Sequence, residues 1–553
     1  MGSVGNEKEF ALEGNFELTN PYPDLLANKN NYLKSVASGS NKHDGVCDTY
    51  KTVEEPVLCR VFSSFECEPD NHQSKSISSI DRYFLGAFDS PLSQPRIEDS
   101  FQNCPTTTFT DEKDILGLDV QTTTEDHRHY RDAWIPSART RMAFVNSSSM
   151  TERELFTMPG LSSGNQVIVT ANKGTYNKLT NVEMVCGHIL TIDNVTEDEH
   201  GLRELIRDES YQAAVNLTGR LLTKLGQGVG KSGIPSRHTE LSIQLWFTRL
   251  ALLVKLGELK TADLEASAWW DCDRPDLYYQ FYPEVYKDRH GTMVPFQMRL
   301  LLAVLPGHCG RHSEALQRLC LILATSKKIL ENLSRGYSED GSQLERSANE
   351  HLKSLKLWTA RHKRILIAIV NIAVEMQDFL LALEVMNKLL KNEESKKAKR
   401  VLYSVLGRIY LRLGDVQEAD KSFQLARAVN TVAKNLDFDH NVNTALMAIA
   451  DNNYRDAYKL FERASLIDPS SIMVMNNCAV CLVFMEHTKE AIRLLVGTIV
   501  NNPYRALQDT LVLNLCSLFE LESSYDWEKK LDLFRLVGKF KGDTITTSSL
   551  KLT

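Results

Sequence analysis

The sequence predicts an all-α fold: a solenoid of stacked helical hairpins preceded by a largely disordered polar N-terminal region. Three observations carry that expectation. From about residue 200, apolar side chains recur at spacings of three and four, as in "SIQLWFTRLALLVKLGELKTADLEA" (242–266) and "KRVLYSVLGRIYLRLGDVQEADKSFQLARAV" (399–429), the period of amphipathic helices. Gly, Asn or Asp interrupts these runs where tight turns would fall. Overlaid, the helical pairs repeat at about 34 residues. No alternating pattern is long enough to build a sheet, and the nearest strand-like runs, "NQVIVTA" and "GHILTID", lie in the polar part.

Residues 1–195 are expected to be mostly disordered. Nine of the 16 prolines fall before residue 160, but only Trp134 of the six tryptophans does. Runs such as "SKSISSIDR" and "QTTTEDHRHYRD" bury too little apolar surface to offset the entropy of ordering the chain. Within this span "DAWIPSARTRMAF" (132–144), centred on Trp134, is an aromatic island. It reads as a local cluster or helix start, or as a short motif that folds against the protein's own body or a partner.

The helical half is expected to span 200–540, with a C-terminal tail at 541–553. Its clearest repeat, 400–433, carries Tyr403, Leu406, Gly407, Tyr410, Gly414, Ala419, Phe423 and Ala426. Gly407 and Ala419 are small where the two helices of a hairpin cross closely, Tyr410 and Phe423 fill the space around that crossing, and Gly414 permits the turn. The copy at 438–471 keeps Ala445, Ala457, Phe461, Ala464 and Pro469, and that at 472–505 keeps Ala479, Ala491, Leu495 and Pro503. Upstream, 363–396 shows Ala373, Ala382 and Met386, with weaker copies near 243–276 and 296–329. The length and offsets are those of a tetratricopeptide repeat. One hairpin cannot bury its apolar face alone, so neighbours stack, and such arrays bind other proteins.

"LGQGVGKSGIP" (225–235) imitates a nucleotide-binding loop. A P-loop needs Gly, four residues, then Gly-Lys-Ser/Thr after a strand. Five residues before Gly230 stands Leu225, and the run Ala213, Leu217, Leu221, Leu225 makes the preceding element a helix. The favoured reading is an inter-helix loop with Lys231 solvated. Cys478 and Cys481 have metal-friendly spacing, but structural zinc needs four ligands and these two fall inside a repeat helix, so packing is favoured. His308, Cys309, His312 and Cys320 make a thinner metal proposal. No catalytic residue, metal ligand or cofactor site is assigned.

"DLYYQFYPEVY" (276–286) interrupts the array with Tyr278, Tyr279, Phe281, Tyr282 and Tyr286. These and Trp134 are the candidate partner-binding residues, tyrosine being favoured at interfaces. Packing between solenoid segments is the competing reading. "KNEESKKAKR" (391–400) reads as a solvated linker and helix start. The inner positions where some tetratricopeptide domains clamp a chaperone's terminal carboxylate hold Ser404 and Arg408, Val442 and Leu446, Asn476 and Val480, which assemble no clamp.

The net charge of -7 argues against a nucleic-acid binder. No apolar run approaches the roughly 20 residues of a membrane span, the first residues show no signal-peptide pattern, and Asn6 occupies the position where a myristoylation motif wants Ser or Thr. The 11 cysteines are expected as reduced thiols.

"AAVNLTGRLLT", "GQGVGKSG", "IQLWFTRLALLVKLG", "PDLYYQFYPEVY", "MVPFQMRLLLAVLP", "NNCAVCL" and "LVLNLCSLFELESS…GDTITTSSLKLT" together resemble the subunit 12 family of the trafficking protein particle complex (TRAPP), a Rab-linked vesicle tether. The likeness runs through about 200–553, with "DAWIPS" as an echo upstream. It implies a non-catalytic scaffold in a multisubunit tether acting between endoplasmic reticulum and Golgi. The implied partners are other tether subunits, with an indirect link to a Rab GTPase and to membranes, and with no nucleic acid and no small-molecule substrate. The implied location is cytoplasmic, peripheral at the intermediate compartment or Golgi, with a nuclear pool as a secondary expectation. The alternatives are a chaperone or mitotic (kinetochore) adaptor and, least favoured, a P-loop hydrolase.

Overall fold

The computed structural model describes residues 131–147, 156–161 and 190–551, apart from 288, 344–346, 430–436, 524–525, 541–544 and 546. Most of the polar span 1–195 therefore lies outside the described residues. Among the described residues the regular elements are all helical, joined in places by isolated β-bridges, and no helix is long and apolar enough to cross a membrane.

The helical part divides into two units, with the boundary between Asn392 and Glu393, inside the span expected as one solenoid. The described part of the first unit holds α1 (Ala138–Ser147), α2 (Glu199–Arg207), α3 (Tyr211–Lys224), α4 (Glu240–Lys255), α5 (Leu259–Ala266), α6 (Phe296–His308), α7 (His312–Ser334), α8 (Ala348–Glu375) and α9 (Phe379–Asn392). Consecutive helices from α2 to α9 pack on one another. The α7–α8 pair outgrows a repeat, since these helices run 23 and 28 residues. Both are rich in straight-chain residues, with no Gly or Pro inside to stop them, and the capping box of Ser347 and Glu350 starts α8.

The second unit holds α10 (Lys396–Leu413), α11 (Val416–Ala428), α12 (Phe438–Ala450), α13 (Tyr454–Ile467), α14 (Ile472–Phe484), α15 (Thr488–Asn501), α16 (Pro503–Ala506), α17 (Asp509–Glu522) and α18 (Trp527–Phe540). Here the repeat positions occupy the places their chemistry requires. Ala419, Ala457, Phe461 and Ala491 are fully buried, and Phe423 and Ala426 nearly so. A Cβ on Gly407 would stand 2.4 Å from the Phe423 ring, so glycine is what lets α10 and α11 cross at that distance. Tyr410 packs half-buried against the same core. Pro469 lies in the turn between α13 and α14, and Pro503 opens α16 at the first-turn position where a missing N–H costs nothing.

One backbone feature closes hairpin after hairpin. The residue in the turn is left-handed at Gly257, Gly310, Gln377, Gly414, Asn452 and Glu486. At Gly414 (φ 86°) the cap N–H donates to Leu411 O, and Asp415 N–H donates to Tyr410 O. The Asp415 carboxylate then accepts from Glu418 N–H and starts α11. The α17–α18 hairpin is covered by residues that follow it. Ile545 and Leu550 are buried, Ser549 Oγ donates to Asp509, and the Lys530 ammonium is held by Glu520, Asp526 and the Lys551 carbonyl.

Two substitutions read this geometry. Gly407→Ala drives a methyl into the Phe423 ring and should cost about 1–3 kcal/mol. Glu486→Gly relieves a left-handed backbone (φ 67°) and should add about 0.5–1 kcal/mol. Chemical denaturation of the full chain should move in opposite directions for the two.

Candidate functional site

The sequence-derived candidates converge in the first unit, where a strap made of 131–147 and 156–161 crosses the loops between α3 and α6. The glycine-rich loop lies between α3 and α4, so a helix precedes it where a P-loop requires a strand. Gly226, Gly230 and Gly233 are left-handed with open space where a Cβ would stand. Gln227 is buried instead of facing a ligand: its Oε1 accepts from Trp246 Nε1 at 3.1 Å and its Nε2 donates to Arg237 O. The loop's amides are engaged by the upstream strap. Ser236 N–H donates to Phe156 O (2.7 Å), Gly233 N–H to Met158 O, and Met158 N–H donates back to Ile234 O (2.8 Å). Gly160 lies so close that a Cβ would stand 2.5 Å from Ser232 Cβ. This is a packed inter-helix loop, and Lys231 is half-exposed on it.

The aromatic stretch is interior. Tyr278, Tyr279, Phe281 and Tyr282 are buried, and Tyr286 and Trp134 are half-buried against the same core. Of the two readings of these six side chains, packing accounts for Tyr278, Tyr279, Phe281 and Tyr282, while Trp134 and Tyr286 keep part of their surface; Trp134, Tyr278, Tyr279 and Phe281 also hold the strap to the rest of the unit. Trp134 lies 4.4 Å from the Arg299 guanidinium of α6 and 6.1 Å from the Trp358 ring of α8. Ala133 and Ile135 flank it against Ile329, Leu333 and Trp358. Asp132 pairs with Arg289 (2.8 Å), which also donates to Tyr279 Oη and sits over that ring. Asp132 O accepts from Thr292 N–H (2.9 Å). At the start of α1, Ser137 N–H and Thr140 Oγ1 both donate to Asp273, whose carboxylate also accepts from Tyr278 Oη (2.6 Å). Phe144 meets Tyr278, and Phe156 meets Phe281 edge-on. Burial pushes the Tyr278 and Tyr279 phenols up, so both stay neutral donors.

The charges beneath the stretch are paired. Arg249 and Glu265 form a buried bidentate pair (2.7 and 2.9 Å), and Arg249 also donates to Val215 O. Asp276 has no exposed surface and receives Arg274 at 2.6 Å, with His238 Nε2 at 3.5 Å. Burial works to raise its carboxyl, but the hydrogen bonds and charges of His238 and Arg274 together hold it below the usual value.

In the second unit Cys478 and Cys481 pack in the hydrophobic core of α14, where burial pushes Cys478 up to about 12 and Cys481 in the same direction, the environment of an inert thiol. His308, half-buried, is pushed down to about 4 by burial and by His312, while Cys320 is exposed on α7. Among the described residues no three metal-ligating side chains gather. Ser404, Arg408, Val442, Leu446, Asn476 and Val480 are all buried. Asn443, unnoticed in the sequence, donates to Ser404 Oγ and accepts from Arg408, and Asn514 donates to Asn476. Of the positions considered for a carboxylate clamp, Ser404, Arg408 and Asn476 are therefore spent on a polar ladder between successive first helices, and Val442, Leu446 and Val480 on apolar packing.

Removing the strap's anchor, Trp134→Ala, should destabilise the first unit by about 2 kcal/mol, less than a fully buried tryptophan would cost, and should speed proteolytic cleavage within 131–147. Asp276→Asn leaves Arg274 partnered only by a neutral group and should cost about 3 kcal/mol at pH 7. A depressed carboxyl stabilises above its unfolded value of 3.8 and loses that contribution as pH falls through its folded value. The gap between wild type and variant should therefore close only below that pH in urea titrations.

No family model matches the chain. Among solved structures it is similar to a tetratricopeptide repeat protein from Parabacteroides merdae (14% identity, 56% of this chain and 96% of that one, TM-score 0.31) and to the P58(IPK) tetratricopeptide domain (12%, 63% and 94%, TM-score 0.15). At such scores the fold rests on the hairpins themselves. Among curated proteins it is 34% identical over 495 residues to trafficking protein particle complex subunit 12 of Mus musculus, covering 88% of this chain and 62% of that protein. The Homo sapiens protein of the same name is 36% identical over 429 residues, covering 76% and 58%. The chain thus spans about three fifths of the length of these relatives. The resemblance read from the sequence is borne out: this all-α repeat chain is a homologue of the proteins named trafficking protein particle complex subunit 12.

Proposed function

We propose that the chain is a non-catalytic scaffold subunit of a TRAPP-like vesicle-tethering complex, supporting transport from endoplasmic reticulum to Golgi through protein–protein binding. The observation that carries this reading is the identity to subunit 12 over 88% of the chain, a share too large to leave out either helical unit. The geometry is consistent with it. Both units are stiffened from within by buried pairs, and a preorganised surface loses little entropy when a partner docks. The partners are other tether subunits, and the links to a Rab GTPase and to membranes run through them. The chain then works in the cytoplasm, peripheral to the intermediate compartment or Golgi. The chaperone reading has nothing to favour it, because the positions it needs are buried: Ser404 and Arg408 bond to Asn443, Asn476 bonds to Asn514, and Val442, Leu446 and Val480 are apolar.

The test is affinity purification of the tagged full chain from native cytosol, with quantitative mass spectrometry. Tether subunits should co-purify at near-stoichiometric amounts and survive Lys231→Ala unchanged. Recovery of the chain as a lone monomer overturns the proposal.

A further inference from the structure

We propose that the surface shared by α5, Trp270 and the first half of α7 docks an amphipathic helix of another tether subunit, one that sets a Lys or Arg beside an apolar stripe. The inference deepens the scaffold reading and rests on it. Trp269 and Trp270 follow α5 and part company: Trp269 is buried against Trp246 and His238, while Trp270 stands 62% exposed. Its ring is held in place all the same. The Arg318 guanidinium lies 4.2 Å from the ring centroid, and it donates to Leu302 O (2.8 Å) and to Glu314 (2.6 Å). Glu314, Arg318 and Leu321 recur at spacings of four and three, so they share one face of α7. Its contacts fix where that face points. Arg311, just before the helix, pairs with Asp263 of α5 (2.6 Å) and with Glu314 (2.9 Å), and Arg318 meets Trp270. Leu321 is 70% exposed one turn beyond Arg318, and Leu264, next to Asp263, is 61% exposed. From Glu314 to Leu321 the face runs about 10 Å, the span of anchors at i, i+4 and i+7 on a partner helix.

Large apolar side chains left open together, one of them an ordered tryptophan, have the make-up of the centre of a docking site. Charge selects the occupant. Asp263, Arg311, Glu314 and Arg318 cancel among themselves. The exposed charge left beside Trp270 is Asp271: its Oδ1 accepts from Asp273 N–H (2.9 Å), and among the described residues it has no ion-pair partner. Lys260, also exposed, lies at the opposite end of α5. A cation set among apolar side chains therefore suits this surface, because Asp271 and the open side of the indole attract it together. A second copy of this chain does not suit it, since a two-fold contact through the same face brings Asp271 toward Asp271. An anionic membrane is repelled by the same carboxylate. With the Trp270 ring already fixed by Arg318, little side-chain freedom remains to be lost on docking.

The experiment uses the full chain carrying a benzophenone amino acid in place of Leu264, irradiated in native cytosol, with mass spectrometry of the products. Cross-links should fall in one helical segment of another tether subunit, apolar at spacings of three and four and with a Lys or Arg beside that stripe. Trp270→Ala and Leu321→Glu should each lower their yield about ten-fold. Asp271→Asn keeps the acceptor for Asp273 N–H and should lower it about three-fold. All three side chains are exposed, so urea midpoints should match that of the wild type; if Trp270→Ala does not fold, the other two variants carry the test. Tether subunits that co-purify without cross-links, or with yields unchanged in Leu321→Glu and Asp271→Asn, overturn the docking site and leave the scaffold reading standing. Cross-links only to this chain, whether to its own residues or to a second copy, overturn it too, as does competition from phosphatidylserine vesicles that float with the chain. A chain recovered alone overturns both.

Discussion

A helical hairpin leaves one apolar face uncovered, and the structure is organised by the need to cover it. Within a pair, contact depends on small residues at the crossing. Gly407 lies under the Phe423 ring, and Ala419, Ala457 and Ala491 are fully buried at equivalent crossings. A larger side chain at any of these would separate two helices and disturb the next pair, since each hairpin is the wall of its neighbour. The left-handed turns at Gly414, Asn452 and Glu486 serve the same constraint by bringing each second helix back against its first.

The same need is also met by segments outside the hairpins. In the second unit residues 547–550 pack on α17, with Leu550 in the core and Ser549 bonded to Asp509. In the first unit the strap supplies Trp134 and Ile135 to apolar surface of α7 and α8, and Phe156 to Phe281 in the loop between α5 and α6. Its polar groups are matched one by one: Asp132 with Arg289, Thr140 with Asp273, and the 156–161 backbone with the glycine-rich loop. A strap held this way is part of the unit and closes it.

How much of this was legible depended on sequence distance. The repeats between 400 and 505 could be read because their contacts are local: the residues that touch are about 16 apart, and the period exposes them. The failure of the P-loop was legible for the same reason, since a count of five residues and a helical run before it decide the matter. The aromatic stretch could be recognised as unusual, and packing was one of its two readings, but its packing partners were not legible. What buries Tyr278 and Tyr279 is Asp132, Phe144 and Arg289, and the first two lie more than 130 residues upstream in chain that composition alone marks as polar. The long α7–α8 pair was missed because a search at the repeat length passes over helices of 23 and 28 residues. Asn443 was missed because an asparagine on an otherwise apolar helix gives no periodic signal until its partners Ser404 and Arg408 are seen across from it.

That polar ladder bears on which positions of the second unit are already committed. Ser404, Arg408 and Asn443 in one place, and Asn476 with Asn514 in another, lie on first helices and bond to each other while buried. Buried polar groups bonded to one another fix the register of successive helices, and exposing any one of them would break a buried bond. The first helices of the second unit are therefore committed to holding the array together at these positions. Exposed apolar side chains occur on both kinds of helix: Leu425 on α11, Leu466 on α13 and Val500 on α15, and also Phe484 on α14 and Leu521 on α17. The polar pairs thus set the geometry at buried positions, and the exposed apolar side chains take no part in those bonds.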